Sequence, residues 1–211
     1  MTLQNRVDPF GALHAAPARG LFTGNRGVIH DPGTRTLLSR RWTTKAWIVC
    51  SLSHPRSVKR QPMGRNGPAG GPGWTELFFL DEVTALAAGH RPCFYCRREA
   101  ARCFSACFAI GNGAQTASAP AMDAILHRQR MATGGVARTL DRTGIATLPD
   151  GAMIEANGLA CALRRGQALP WNFTGYGKGQ NLPDAANLLT PPATVAALIA
   201  GFPPVWHPSA S

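Results

Sequence analysis

The chain has 211 residues, enough for one sizeable domain or two small ones, with a hydrophobic share of 45% and a charged share of only 16%. Its 23 glycines and 17 prolines imply long loops and short elements. No apolar run approaches the roughly 18 to 20 residues of a membrane span, and Met1–Gly20 has Pro, Asp and His where a signal peptide needs its apolar centre. A soluble, cytosolic protein is expected.

The net charge is +11, and it is uneven. Met1–Gly73 holds eleven Lys/Arg against two acids, Asp8 and Asp31, whereas the remainder is close to balance. A basic excess on one segment suits phosphate-rich partners through counterion release. A generally basic protein with incidental charge is the competing reading.

In chain order, the first thirty residues show no sustained period and read as loops around short extended pieces. Thr36–Ser53, with Trp42, Trp47-Ile48-Val49-Cys50 and Leu52, suggests strands parted by a basic turn. His54–Trp74 is a loop dense in Pro and Gly. Thr75–Leu80 reads as a strand, and Asp81 caps a helix through Ala88, with Glu82 in its first turn and Gly89 closing it. Arg97–Ile110 is the next helix, with Ala100, Cys103, Cys107 and Ile110 spaced as one face. Gly111–Ala121 reads as a linker, and Met122–Met131 as a short helix. In Gly134–Tyr176, short apolar pieces (Ile145–Leu148, Ala152–Ile154, Leu159–Leu163) are divided by turn residues, among them Asn157-Gly158, a strong hairpin signal. Trp171–Gly179 reads as an aromatic loop closing this unit. An echo follows: Val83–Pro92 aligns with Val195–Pro204 at a constant shift of 112, with Val205 where the first copy has Cys93. The tail around His207 reads as frayed.

Six cysteines do not form a small secreted disulfide framework here. Cys93 and Cys96, two apart on a turn, have the spacing of half a tetrahedral zinc site. Cys50, at the end of the Trp47–Val49 strand, is the third candidate ligand, and His30, next to Asp31, the fourth. Cys103 and Cys107 could serve instead, though their spacing also fits a buried helix face. Arg91, Arg97 and Arg98 would give the knuckle a basic rim for nucleic acid, and Arg19 and Arg26 sit on Gly-rich loops able to hold phosphate. Trp42, Trp47, Trp74 and Trp171 could stack bases, with core packing the better expectation. No nucleophile elbow, His-Glu-x2-His, P-loop or dinucleotide fingerprint is present.

The run Phe78-Phe79-Leu80, an acidic helix start and Ala87-Ala88-Gly89-His90-Arg91-Pro92-Cys93-x2-Cys96-Arg97 resembles the second half of the Ada-type zinc-binding domain. That family includes the methylphosphotriester-repair module and zinc tails on bacterial nucleases. The resemblance covers about Leu77–Arg98; His90 stands where the family has an aromatic, and the family's first cysteine pair has no counterpart. It implies a zinc-held scaffold and DNA, rather than RNA, as partner.

The expectation is an α+β protein: a basic, Ada-like, zinc-organised region over residues 1–110, a linker over 111–133, and over 134–211 a small antiparallel β unit with a terminal helix-turn resembling a metal-free copy of the knuckle. The function expected is a zinc-binding, nucleic-acid-associated protein. The alternatives are a metal-dependent nuclease or other hydrolase using the same zinc, and an interaction module.

Overall fold

The computed structural model describes residues 2–53 and 60–211. The expected loop from His54 begins outside them, as do Arg56 and Lys59 of the basic segment. The fold is mixed α+β.

The first half builds a mixed sheet from β1 (Gln4–Val7), β2 (Leu13–Ala15), β3 (Phe22–Asn25), β6 (Ile48–Ser51), β7 (Leu77–Phe79) and β8 (Arg91–Pro92), in the order β2-β1-β7-β3-β6-β8. The small ribbon of β4 (His30–Asp31) and β5 (Thr36–Leu37) stands beside it. Pairing is parallel at β1–β7 and β6–β8 and antiparallel elsewhere. β8 carries Pro92, and as an edge strand it can do so, because no neighbour on its outer side needs the missing N–H.

Between β7 and β8 lies α1 (Glu82–Ala87), only six residues long and buried along its whole length. A helix this short needs outside support, and three surfaces supply it. Ala85 and Ala88 pack on Val7, Leu77 and Phe79 of the first sheet. Val83 and Ala87 pack on Met153, Leu169 and Tyr176. Leu86 packs on Phe104, Leu126 and Ala197. Asp81 caps it as expected, accepting from Thr84 N (2.8 Å).

The helical layer comprises α2 (Arg98–Gly111), α3 (Ala119–Gln129) and α5 (Pro192–Ile199). The expected α2 face needs correction: its buried residues are Ala101, Phe104, Cys107, Phe108 and Ala109, while Cys103 is exposed and Ile110 is 70% exposed. Two phenylalanines four apart remove more apolar area from water than the Ala100–Ile110 stripe would, so they set the helix's rotation. The helix expected over Met122–Met131 begins three residues earlier, where Ser118 caps α3.

The second sheet is wholly antiparallel: β9 (Arg138–Asp141), β10 (Met153–Ala156), β11 (Leu159–Arg164), β12 (Gln167–Asn172), β13 (Gly175–Tyr176) and β14 (Ala185–Leu188), in the order β13-β12-β11-β10-β14-β9. Asn157 and Gly158 both take positive φ at the β10–β11 turn, as the hairpin signal requires. Ile145–Leu148 is not a sheet piece: Asp141 accepts from Gly144 N (2.8 Å) and caps α4 (Arg142–Ala146). Local capping overrides a short apolar run that periodicity alone cannot classify. Trp171 belongs to β12 rather than to a loop.

The tail is anchored, not frayed. Val205 N donates to Glu82 Oε2 (3.0 Å), His207 N donates to Asp81 Oδ2 (3.0 Å), and Ala210 is 1% exposed. Tyr176 OH also donates to Asp81 Oδ2 (2.9 Å), so the start of α1 gathers strand and tail alike.

Candidate metal centre

Cys50 lies on β6, and the β6–β8 register pairs Ile48 with Arg91 and Val49 with Pro92. Cys93 continues that ladder, donating its N–H to Val49 O (3.0 Å), so it comes level with Cys50. The chain then turns: Tyr95 N donates to Cys93 Sγ (3.4 Å) and Arg97 N to Cys93 O (3.0 Å). This turn carries Cys96 back, and Cys50, Cys93 and Cys96 place their sulfurs within 4.8 Å of one another. Sulfurs around a tetrahedral zinc stand about 3.8 Å apart, given a Zn–S bond near 2.3 Å. The three thiols therefore fit a soft divalent metal ion by both spacing and donor type.

Crowding perturbs the thiols in different directions. Hydrogen bonds from Cys50 and Cys96, helped by the backbone N–H groups of Cys96 and Tyr95, hold Cys93 far below the usual thiol range. Cys50 is pushed up because its thiol donates to the other two sulfurs and is desolvated. One thiolate stabilised by two thiols is a cluster that releases protons when a cation enters.

Each side of the knuckle is pinned by a buried ion pair. Arg91 grips Asp123 in a bidentate fork, both contacts 2.8 Å. Arg97 pairs with Glu82 and lies over the Phe22 ring at 4.3 Å. These arginines, expected as a basic rim, instead fix the turn to α3 and α1. Arg26 is buried too, with Nε donating to His90 Nε2 (3.2 Å) and its guanidinium 3.8 Å over Trp47. Arg19 and Arg98, by contrast, are exposed. Glu82 and Asp123 were missed as partners because ion pairs across 15 and 32 residues leave no local pattern.

His30 does not join the thiols. Its Nδ1 bonds Thr75 Oγ1 (2.7 Å) and its Nε2 bonds Gly64 O (3.3 Å), so both ring nitrogens tie the β4 segment to the chain before β7. Cys103 and Cys107 are also outside the group.

The three cysteines line a cavity of about 810 Å3 with Thr23, Asn25, Arg60, Asn66, Trp74, Glu76, Phe78 and Tyr95. Glu76 Oε1 accepts from Arg60 Nε (2.6 Å) and its Oε2 from Met63 N (3.0 Å), while the Arg60 guanidinium stacks 3.8 Å over Trp74. No sequence motif marks this wall, since its parts come from β3, β6, the knuckle and the segment before β7.

No helix among the described residues is long and apolar enough to cross a membrane. No protein-family model, curated protein or solved structure matches the chain.

Proposed function

We propose that the chain is a zinc-binding, nucleic-acid-associated protein in which Cys50, Cys93 and Cys96 hold zinc as part of the fold. The observation that carries the reading is the convergence of three thiols from two distant segments to within 4.8 Å. Three thiolates favour zinc among common cellular divalent ions. Bound there, zinc would lock the edge of the first sheet to the turn that launches α2. The described residues supply three of the four ligands that a closed structural site uses.

Surface charge supports the nucleic-acid part. Among described residues as far as 133, Arg19, Arg40, Arg41, Lys45, Arg65, Arg98, Arg102 and Arg128 are exposed, against only Asp31 and Glu99. The other acids of this half, Asp8, Glu76, Asp81, Glu82 and Asp123, are buried. Its outer surface is thus strongly positive, as a phosphate-contacting face requires. DNA rather than RNA is the partner that the likeness to the Ada-type domain suggests.

A second reading, a metal-dependent hydrolase, is favoured by the cavity beside the thiols. Zinc there would polarise a bound oxygen. Glu76 would have to exchange its bonds to Arg60 and Met63 before it could take a proton.

Metal analysis of the purified protein tests both: about one zinc per chain is expected, and none would remove them together. Cys93→Ser then separates the readings, lowering the melting midpoint by several degrees or more if zinc is structural and leaving the chain equally stable but inactive if zinc is catalytic. Affinity for a DNA duplex should fall steeply with salt; a flat response removes the phosphate-contacting role.

A further inference from the structure

We propose that the cavity beside the three cysteines receives one unpaired base of a single-stranded nucleic acid, an inference that rests on the nucleic-acid reading above and names the form of partner. Three exposed large hydrophobic side chains, Leu52, Trp74 and Tyr95, at 54%, 40% and 56% exposure, all line this one cavity. Apolar side chains grouped at a recess mark a binding surface. Two of the three are aromatic, and Phe78 extends the aromatic lining inward.

The polar lining suits a heterocycle. The Arg60 guanidinium lies over the Trp74 ring, 3.8 Å from its centroid, and its Nε donates to Glu76, so indole and guanidinium form one platform. Base rings stack on both kinds of surface. Asn25 also lines the cavity, and its amide can pair with a base edge, whereas the Asn66 amide is taken up by Gln61, from whose N–H its Oδ1 accepts (3.0 Å). Asn66 Nδ2 is bonded to Gln61 O (2.7 Å), and Asn25 Oδ1 accepts from Gly27 N (3.2 Å), so both residues have fixed orientations.

Charge complementarity selects a nucleic-acid strand over an uncharged aromatic ligand. Arg65 adjoins Asn66 and Arg98 follows Cys96 by two residues; both are exposed, placing cations beside lining residues from two different segments. A paired base cannot enter a walled recess without leaving its stack, so the occupant is unpaired.

The experiment compares a labelled single strand of about ten nucleotides, within the range of single-strand site sizes, with an abasic strand of equal length. Anisotropy titrations on the zinc-loaded full chain should show the intact strand binding at least fivefold tighter, the effect of about 1 kcal/mol of stacking. Trp74→Ala should erase that gap without changing the salt dependence. Tyr95→Ala, at a more exposed position, serves the same purpose if Trp74→Ala does not fold. Equal, salt-dependent binding of both strands would overturn the base pocket and leave the nucleic-acid reading standing. Binding of a duplex with neither single strand bound would overturn the base pocket alone, and absence of binding to strand and duplex alike at low salt would remove both.

Discussion

Cys50 and Cys93 are neighbours because two strands run parallel: the hydrogen bond from Cys93 N to Val49 O extends the β6–β8 ladder one step beyond Pro92. A parallel pair needs a long crossover. Here the crossover contains β7 and α1, so the burial of α1 fixes the position of the thiol cluster. Sheet, central helix and thiol cluster form one mechanical unit, and damage to any part should reach the others.

Substitution at the thiols separates ligands from bystanders. Cys50→Ser, Cys93→Ser and Cys96→Ser should each abolish stoichiometric zinc, whereas Cys103→Ser and His30→Ala should keep it. A structural zinc contributes on the order of 10 kcal/mol in small zinc domains. Losing even part of that lowers the melting midpoint by several degrees, at about 2–4 °C per kcal/mol for a chain of this size. His30→Ala should be destabilising with zinc retained, because it removes the ring's bonds to Thr75 Oγ1, which keeps only Ile29 N, and to Gly64 O, and opens a void. Zinc loss in His30→Ala would show that the histidine holds metal after all.

The two short helices that echo each other close with the same cap. Gly89 N bonds Leu86 O and His90 N bonds Ala85 O; 112 residues later, Gly201 N bonds Leu198 O and Phe202 N bonds Ala197 O. Both glycines have positive φ, 78° and 101°. Alanine at Gly201 meets open space, so it should cost only the left-handed strain of about 1–2 kcal/mol. At Gly89 a Cβ would stand 2.3 Å from Arg130 Cγ, in a side chain held by Gly89 O and Lys45 O. Overpacking there should add about 1–3 kcal/mol more. Urea unfolding of the two variants decides it, and equal losses would contradict the described packing.

What was readable in the sequence was local. The Asp81 cap, the Gly89 stop, the Asn157-Gly158 hairpin and the Cys93–Cys96 spacing each depend on a few adjacent residues, and each has a structural counterpart. What was not readable depends on distant partners. Arg91, Arg97 and Arg26 look like free cations until Asp123, Glu82 and Trp47 reach them from other elements. Cys50 was within reach only because its strand position and isolation left few alternatives, and His30 was misplaced by nearness to an acid whose Oδ1 in fact accepts from Gly33 and Thr34 in its own turn.

The rotation of α2 gives a further contrast. Phe104 is fully buried against Leu86 and Phe202, with the two phenyl rings meeting edge-on at 5.1 Å. Phe104→Ala should cost about 3–5 kcal/mol. Ile110→Ala, on a side chain 70% exposed, should stay within about 0.5 kcal/mol. If both cost the same in denaturant unfolding, the helix is rotated from the orientation described.

His90 should make the fold acid-sensitive. It is fully buried between Trp47 and Phe79, with ring centroids 5.1 and 4.6 Å away, and its Nε2 accepts from Arg26 Nε. Burial, together with the charges of Arg26 and Arg130, holds its pKa well below the ordinary 6.5. The folded state therefore keeps a neutral imidazole while the unfolded chain takes up a proton. Stability from this group is complete above pH 6.5 and is lost as pH falls below it, by about 1.4 kcal/mol per unit until the folded pKa is reached. His90→Phe removes the titration but leaves Arg26 Nε without its acceptor, so the variant should be less stable at pH 8 by about 1–3 kcal/mol. The difference between wild type and variant should then shrink steadily from pH 6.5 towards pH 5 in chemical denaturation. A gap that stays constant over that range would mean that His90 is protonated, or solvated, in the folded protein.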